Sequence, residues 1–204
     1  MMQPKYRTLL KISGFYGILI PVTAFTFIFL AITFYPQFNW ANNALSDLGV
    51  VAGLTSGLFN SGLIISGVWA LIFAIGLLIK FDKNFTGRVS ALVFALACLA
   101  LISIGVFPEN FKPTHYLVSV AFFVLLPISL FIVTGAFVLA HKTKMALFTL
   151  LTALAAATPW ILYFSIHYVS GVAIPEFASG LAGSIWTVVL GYQMIKEATN
   201  LKIS

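Results

Sequence analysis

Five carboxylates and three imidazoles are all the acids and histidines in this chain of 204 residues, and they are not evenly spread. Asp47 sits in the stretch Asn39-Trp-Ala-Asn-Asn-Ala-Leu-Ser-Asp-Leu-Gly49, the densest polar cluster in the sequence. Glu109 closes Gly105-Val-Phe-Pro-Glu, and Glu176 closes Gly171-Val-Ala-Ile-Pro-Glu. A His-Tyr pair stands near each, at His115-Tyr116 and His167-Tyr168. Imidazole and carboxylate together suit zinc, with three protein ligands leaving a position open for water. Bound zinc brings that water's pKa towards neutrality and makes it a nucleophile. Asp47, His115 and His167 are the candidate ligands or acid/base groups, with Asn43, Ser46, Asn60, Glu109 and Glu176 placed to orient a substrate. Without metal, a His-carboxylate pair can act as general base on water.

Spacing gives this chemistry no direct support. No HxxxH, HExxH or CxxC presets two ligands on one helix face, and Ser46, Ser165 and Ser170 lack a nucleophile elbow. No P-loop or Rossmann glycine pattern is present. Each residue also has an ordinary structural role open to it. Ser46-Asp47 reads as a helix N-cap, Pro175-Glu176 as a helix start suited to the positive dipole end, and Pro108-Glu109 as a turn. Trp40, Tyr116, Trp160, Tyr163 and Tyr168 fit an aromatic belt at the headgroups.

The elements that must position these groups follow from composition. Apolar residues make up 61% and charged residues 8%, where a soluble domain is nearer half and a quarter. The charges cut the chain into long uncharged runs at 12–46, 48–79, 89–108, 113–141, 145–175 and 177–195. A helix needs about 20 apolar residues to cross the hydrocarbon core, and none of these runs alternates as a membrane strand would. The expectation is an all-α, single-domain bundle of six transmembrane helices over 1–204, near 13–35, 51–79, 89–107, 114–140, 146–171 and 177–195. The first run is too long for a signal-peptide core and lacks a clear cleavage site.

Of eleven Lys and Arg, only Lys112 falls outside the connectors and ends that such a bundle places on one side. Basic residues stay cytoplasmic, so both chain ends are expected inside a cell membrane. The net charge of +6 is therefore a topology signal with some attraction for anionic lipid, not a nucleic-acid footprint. Asp47, Glu109, Glu176, His115 and His167 then share the extracytoplasmic end with Asn39, Asn42 and Asn43. Asn60 is expected about 13 Å inside the second helix, at 1.5 Å per residue, where a polar group must find partners within the bundle. Lone Cys98 forms no internal disulfide. Gly53, Gly57 and Ser61 are spaced to let helix backbones approach closely, and Pro127 and Pro159 to kink their helices. The Gly105–Glu109 and Gly171–Glu176 segments echo one another over a short, gapped stretch.

Taken in order, Asn43-Ala-Leu-Ser-Asp-Leu-Gly49, Leu58-Phe-Asn60, Gly105-Val-Phe-Pro-Glu109, His115, Ile174-Pro-Glu176 and Ser184-Ile-Trp186 resemble the membrane family known as domain of unknown function 998. The resemblance covers nearly the whole chain and implies a prokaryotic six-helix membrane protein, without an established activity to carry over. The zinc-dependent alkaline-ceramidase group is similar only by analogy, since Gly171 stands where its paired late histidine would be. Three functions are in view. The first is a metal-assisted or general-base hydrolase acting on a lipid or lipid-linked headgroup. The second is an accessory or scaffold subunit bound to a protein partner or a second copy. The third is a small transporter or lipid-binding protein. Transport is disfavoured because no acid or histidine lies mid-membrane to make a through-path.

Overall fold

A computed structural model describes residues 3–200. Six helices run α1 Pro4–Thr33, α2 Leu54–Lys80, α3 Phe85–Val106, α4 Thr114–Leu139, α5 Thr143–Ile166 and α6 Ala173–Asn200, with a single 3-10 turn at Ser46–Gly49. All six are long and apolar enough to cross a membrane. In hydrocarbon every backbone N–H and C=O must be satisfied within its own segment, and the helix does this. Where helices start, local chemistry agrees: Pro4 occupies the first turn of α1, and the Asn84 side chain accepts from the Gly87 N–H at 2.9 Å to cap α3. Pro21, Pro127 and Pro159 lie inside α1, α4 and α5.

The helices form a ring in chain order, each packed on the next, with α6 returning to α1. Across the ring, α4 and α6 scarcely touch and are bridged by α5. The α1–α6 seam is a backbone contact, because a Cβ on Gly14 would stand 2.5 Å from the Gly191 carbonyl oxygen. At the centre, Trp186 of α6 meets Phe73 of α2 edge-to-face at 5.8 Å and Phe94 of α3 at 5.6 Å. Its indole N–H donates to Thr149 Oγ1 on α5 at 3.2 Å, which satisfies the one polar atom of a fully buried ring.

One end of the bundle is basic. There Lys80, its side chain only 3% exposed, lies 2.6 Å from Glu197 and ties the end of α2 to the end of α6. The opposite end carries Asp47, Glu109 and Glu176 and is called the acidic end below.

The glycine seam expected at Gly53, Gly57 and Ser61 is not a packing seam. A Cβ on Gly53 or Gly57 would meet nothing within 4 Å, and Ser61 is exposed. Gly53 is needed instead for its φ of +92° at the start of α2. Close packing falls elsewhere on α2, where Gly62 lies against the Phe27 side chain and a Cβ on Gly67 would stand 2.5 Å from Ile102. Gly57→Ala is therefore expected to stabilise the protein by up to about 1 kcal/mol through helix propensity. Gly62→Ala is expected to destabilise it by about 1–3 kcal/mol through overpacking. Thermal melts of both variants in one detergent would compare them, and equal shifts would contradict this assignment.

Candidate functional site

The stretch 39–49 folds into a compact cap over the acidic end. Asn39 Oδ1 accepts from the Ala41 and Asn42 amides at 2.9 and 3.2 Å, a side-chain turn of the kind Asn favours. Asn43 Oδ1 in turn accepts from the Asn39 amide at 2.9 Å. Then the chain coils so that successive amides face carboxylates. The Ala44 N–H donates to Asp47 Oδ2 at 3.0 Å, and the Leu45 N–H donates to Glu176 Oε2 at 2.6 Å. The Ser46 amide also interacts with Glu176. Asn43 Nδ2 adds a bond to Asp47 Oδ2 at 2.7 Å. The Leu45–Glu176 bond joins residues 131 apart in sequence.

Two further ties hold the cap. Gly171 donates to the Ala41 carbonyl at 2.7 Å and Ala173 to the Asn43 carbonyl at 2.9 Å, so the α5–α6 connection runs alongside residues 41–43. Gly171 lies against the Asn42 and Asn43 backbone with no room for a Cβ. Asn60 Nδ2 donates to the Gly49 carbonyl at 3.0 Å, fastening the 3-10 turn to α2. Because α2 starts at Leu54 rather than near 51, Asn60 sits about 9 Å into the helix, at 1.5 Å per residue.

Glu109 completes the group from the α3–α4 connection. Burial, then a hydrogen bond to Asp47 and the Asp47 charge, push the Glu109 carboxyl above the usual carboxylate range, against the opposing pull of His115 and Lys112. Two adjacent carboxylates resist ionising together. Glu176 lies within electrostatic reach of both Asp47 and Glu109. His115 is 6% exposed, and its Nδ1 lies 2.8 Å from the Phe107 carbonyl. A carbonyl only accepts, so Nδ1 carries the proton and Nε2 faces the Ser119 hydroxyl at 3.4 Å.

Of the expected site residues, Asn43, Ser46, Asp47, Asn60, Glu109, His115 and Glu176 thus surround the cap. His167 does not join them. Helix α5 ends at Ile166, not 171 as expected, and His167 is the left-handed residue that terminates it, at φ 46° and ψ 51°. It is exposed, with its ring 5.7 Å from Tyr163. The expected zinc ligands Asp47, His115 and His167 are therefore not assembled, and among the described residues no three His, Cys, Asp or Glu side chains are placed to hold a metal ion. The donor set does not fit zinc.

Beneath the cap lies a feature with no signal in the sequence, an apolar cavity of about 120 Å³. It is walled by α1, α2, α3, α4 and α6, and Glu176 is its one acid or base among the described residues. Ser46 and Glu176 line its acidic end, Phe94 and Thr187 its opposite end. From Glu176 to Thr187 is about 16 Å of helix, close to one leaflet of a hydrocarbon core about 30 Å thick. Ser66 in its wall is fully buried, and its hydroxyl has no partner.

A ring of six membrane-crossing helices with a carboxylate-capped cavity defines a polytopic helical membrane protein. The chain belongs to the family described as "Protein of unknown function (DUF998)", whose model matches residues 18–193. No curated protein and no solved structure matches it.

The raised Glu109 sets a pH dependence. A carboxyl favoured in its protonated form by folding contributes stability at low pH. That contribution is lost as pH rises from the ordinary carboxylate range through the folded pKa. Wild type is expected to lose stability over that window, and Glu109→Gln, a permanently neutral donor to Asp47, to flatten the loss and match wild type below it. Melting temperatures at pH 4 and pH 8 would measure it; a variant that loses as much as wild type between them would contradict the raised Glu109.

Proposed function

We propose that this protein binds a single-chain membrane amphiphile, with its tail in the cavity and its head group against Asp47, Glu109 and Glu176. The observation that carries the reading is the cavity itself: apolar along its length, one leaflet deep, and ending at a carboxylate. Its volume of about 120 Å³, below the roughly 150 Å³ of a cavity that takes one benzene ring, leaves no room for two chains. Buried pockets lined by apolar side chains with a few convergent polar groups are the common form of ligand site. Three carboxylates facing one His and one Lys favour a head group rich in donors, an amine or hydroxyls, over a bare anion.

The basic end, with nine of the ten Lys and Arg among the described residues, is assigned to the cytoplasm by the positive-inside rule. Both chain ends then lie inside the cell, and the cap faces the extracytoplasmic surface of the cell membrane.

A hydrolytic role is the second reading, favoured by the Asp47–Glu109 hydrogen bond. Of two neighbouring carboxyls, one protonated and one ionised supply an acid and a base together. Asp47 would take a proton from water as the water oxygen bonds to an ester carbon, and Glu109 would deliver its proton to the departing oxygen. Nδ1-protonated His115 would fix the α3–α4 connection that carries Glu109.

Native mass spectrometry of delipidated protein with lysophosphatidylethanolamine tests the first reading. One bound molecule per chain is expected, with weaker binding of lysophosphatidic acid and none of two-chain phosphatidylethanolamine. Equal binding of all three, or of none, would contradict it. For the hydrolytic reading, Asp47→Asn is expected to abolish cleavage of an ester-linked single-chain lipid while weakening its binding only in part. Turnover at the wild-type rate in that variant would remove Asp47 from the chemistry.

A further inference from the structure

Helix α5 contributes no residue to the cavity wall. Buried residues of α5 are Ala146, Thr149, Thr152, Ala153 and Ala156, and none follows them. Three residues later comes Pro159, which cannot donate to the Ala155 carbonyl and so bends the helix. Beyond it Leu162, Phe164 and Ile166 are 43%, 69% and 67% exposed. The acidic-end half of α5 thus contributes no fully buried side chain at the place where it should bridge α4 and α6.

Those two helices diverge at the same level. Gly183 still packs on Leu126, with 3.0 Å from its hypothetical Cβ to Leu126 Cδ2. One turn nearer the acidic end, a Cβ on Gly180 would meet nothing within 4 Å, although Gly180 lines the cavity. Phe123 of α4 lines it too, and its outer neighbour is Trp160 of α5, with ring centroids 4.7 Å apart. Phe123, Trp160 and Gly180 all lie about 9–14 Å from the acidic ends of their helices, counted at 1.5 Å per residue. The Trp160 indole N–H is buried without an acceptor, an unusual state for tryptophan in hydrocarbon, and an ester or head group passing it would supply one.

We propose that the cavity is entered sideways from the lipid, between the acidic-end halves of α4 and α6, with Trp160 against Phe123 as the door. Resting on the binding role argued above, this narrows the ligand class to amphiphiles resident in the bilayer leaflet at the acidic end, delivered tail and head together without crossing water. Gly180 is the threshold residue, whose missing side chain leaves the opening clear. Trp160 lies outside the cavity wall, so its size affects entry and not occupancy.

The test uses the full chain in nanodiscs containing lysophosphatidylethanolamine with a diazirine at the tail terminus. On illumination, label is expected deep in the cavity, near Leu63 and Ala97. Trp160→Ala is expected to speed labelling several-fold with the plateau unchanged. Gly180→Leu, which enters open space and removes a helix glycine, is expected to fold with an equal or higher melting temperature and to lose the deep label. Deep label with wild-type rates in both variants would overturn the lateral door and leave the cavity reading standing. Absence of deep label in wild type would overturn the cavity reading, and the door with it.

Discussion

A carboxylate at the edge of hydrocarbon must have hydrogen-bond donors, and much of the acidic end follows from meeting that need at Glu176. Its oxygen takes the Leu45 amide at 2.6 Å, and this draws the long α1–α2 connection down onto the first turn of α6. Asp47 repeats the device within the connection, gathering the Ala44 amide and the Asn43 side chain. The cap then fixes which side chains roof the cavity, because Leu45 and Ser46 both line it. An Asn-rich stretch in an apolar protein is therefore the folded counterpart of its acids. The amides and Asn side chains that would otherwise solvate a loop neutralise carboxylates that the bundle holds close together.

The ring architecture explains why a cavity exists. Five helices surround the space, and it ends at Phe94 and Thr187, where Phe94 packs with Trp186 and Phe73 in a cluster of three rings. Above that cluster the closure between α4 and α6 depends on α5, whose buried side chains end at Ala156. Soluble cores close such gaps because apolar surface left in water is costly. In a membrane the lipid tails are as apolar as leucine, so the same gap carries little penalty and can serve as a route.

Much of this was legible in the sequence, for definite reasons. Six helices could be read from where the charges interrupt the chain, since crossing hydrocarbon demands uncharged length. Asp47, Glu109, His115 and Glu176 could be assigned to one end, because alternate connectors of a helical bundle must fall together. Glu109 and Glu176, the two ends of the short sequence echo, do meet at one site, whereas His115 is buried and His167 exposed. The failure at His167 is local: the tie between Gly171 and Ala41 needs the chain to turn before 171, and apolar composition continues past the turn. The cavity was illegible for a broader reason. Helix faces turned to lipid and to protein are equally apolar, so the periodicity that marks a core face in water is absent. Glycine spacing fails similarly, since Gly57 and Gly62 differ only in what faces them.

The most direct measurement is an experimental structure of the protein crystallised from a lipidic mesophase doped with lysophosphatidylethanolamine. The expected result is one continuous, unbranched tail of density from Thr187 and Phe94 up to Glu176, with the head group on the Asp47–Glu109 side. An empty cavity, closed by inward rotation of Phe122 and Phe123 while lipid density lies only on the outside of the ring, would contradict the central claim.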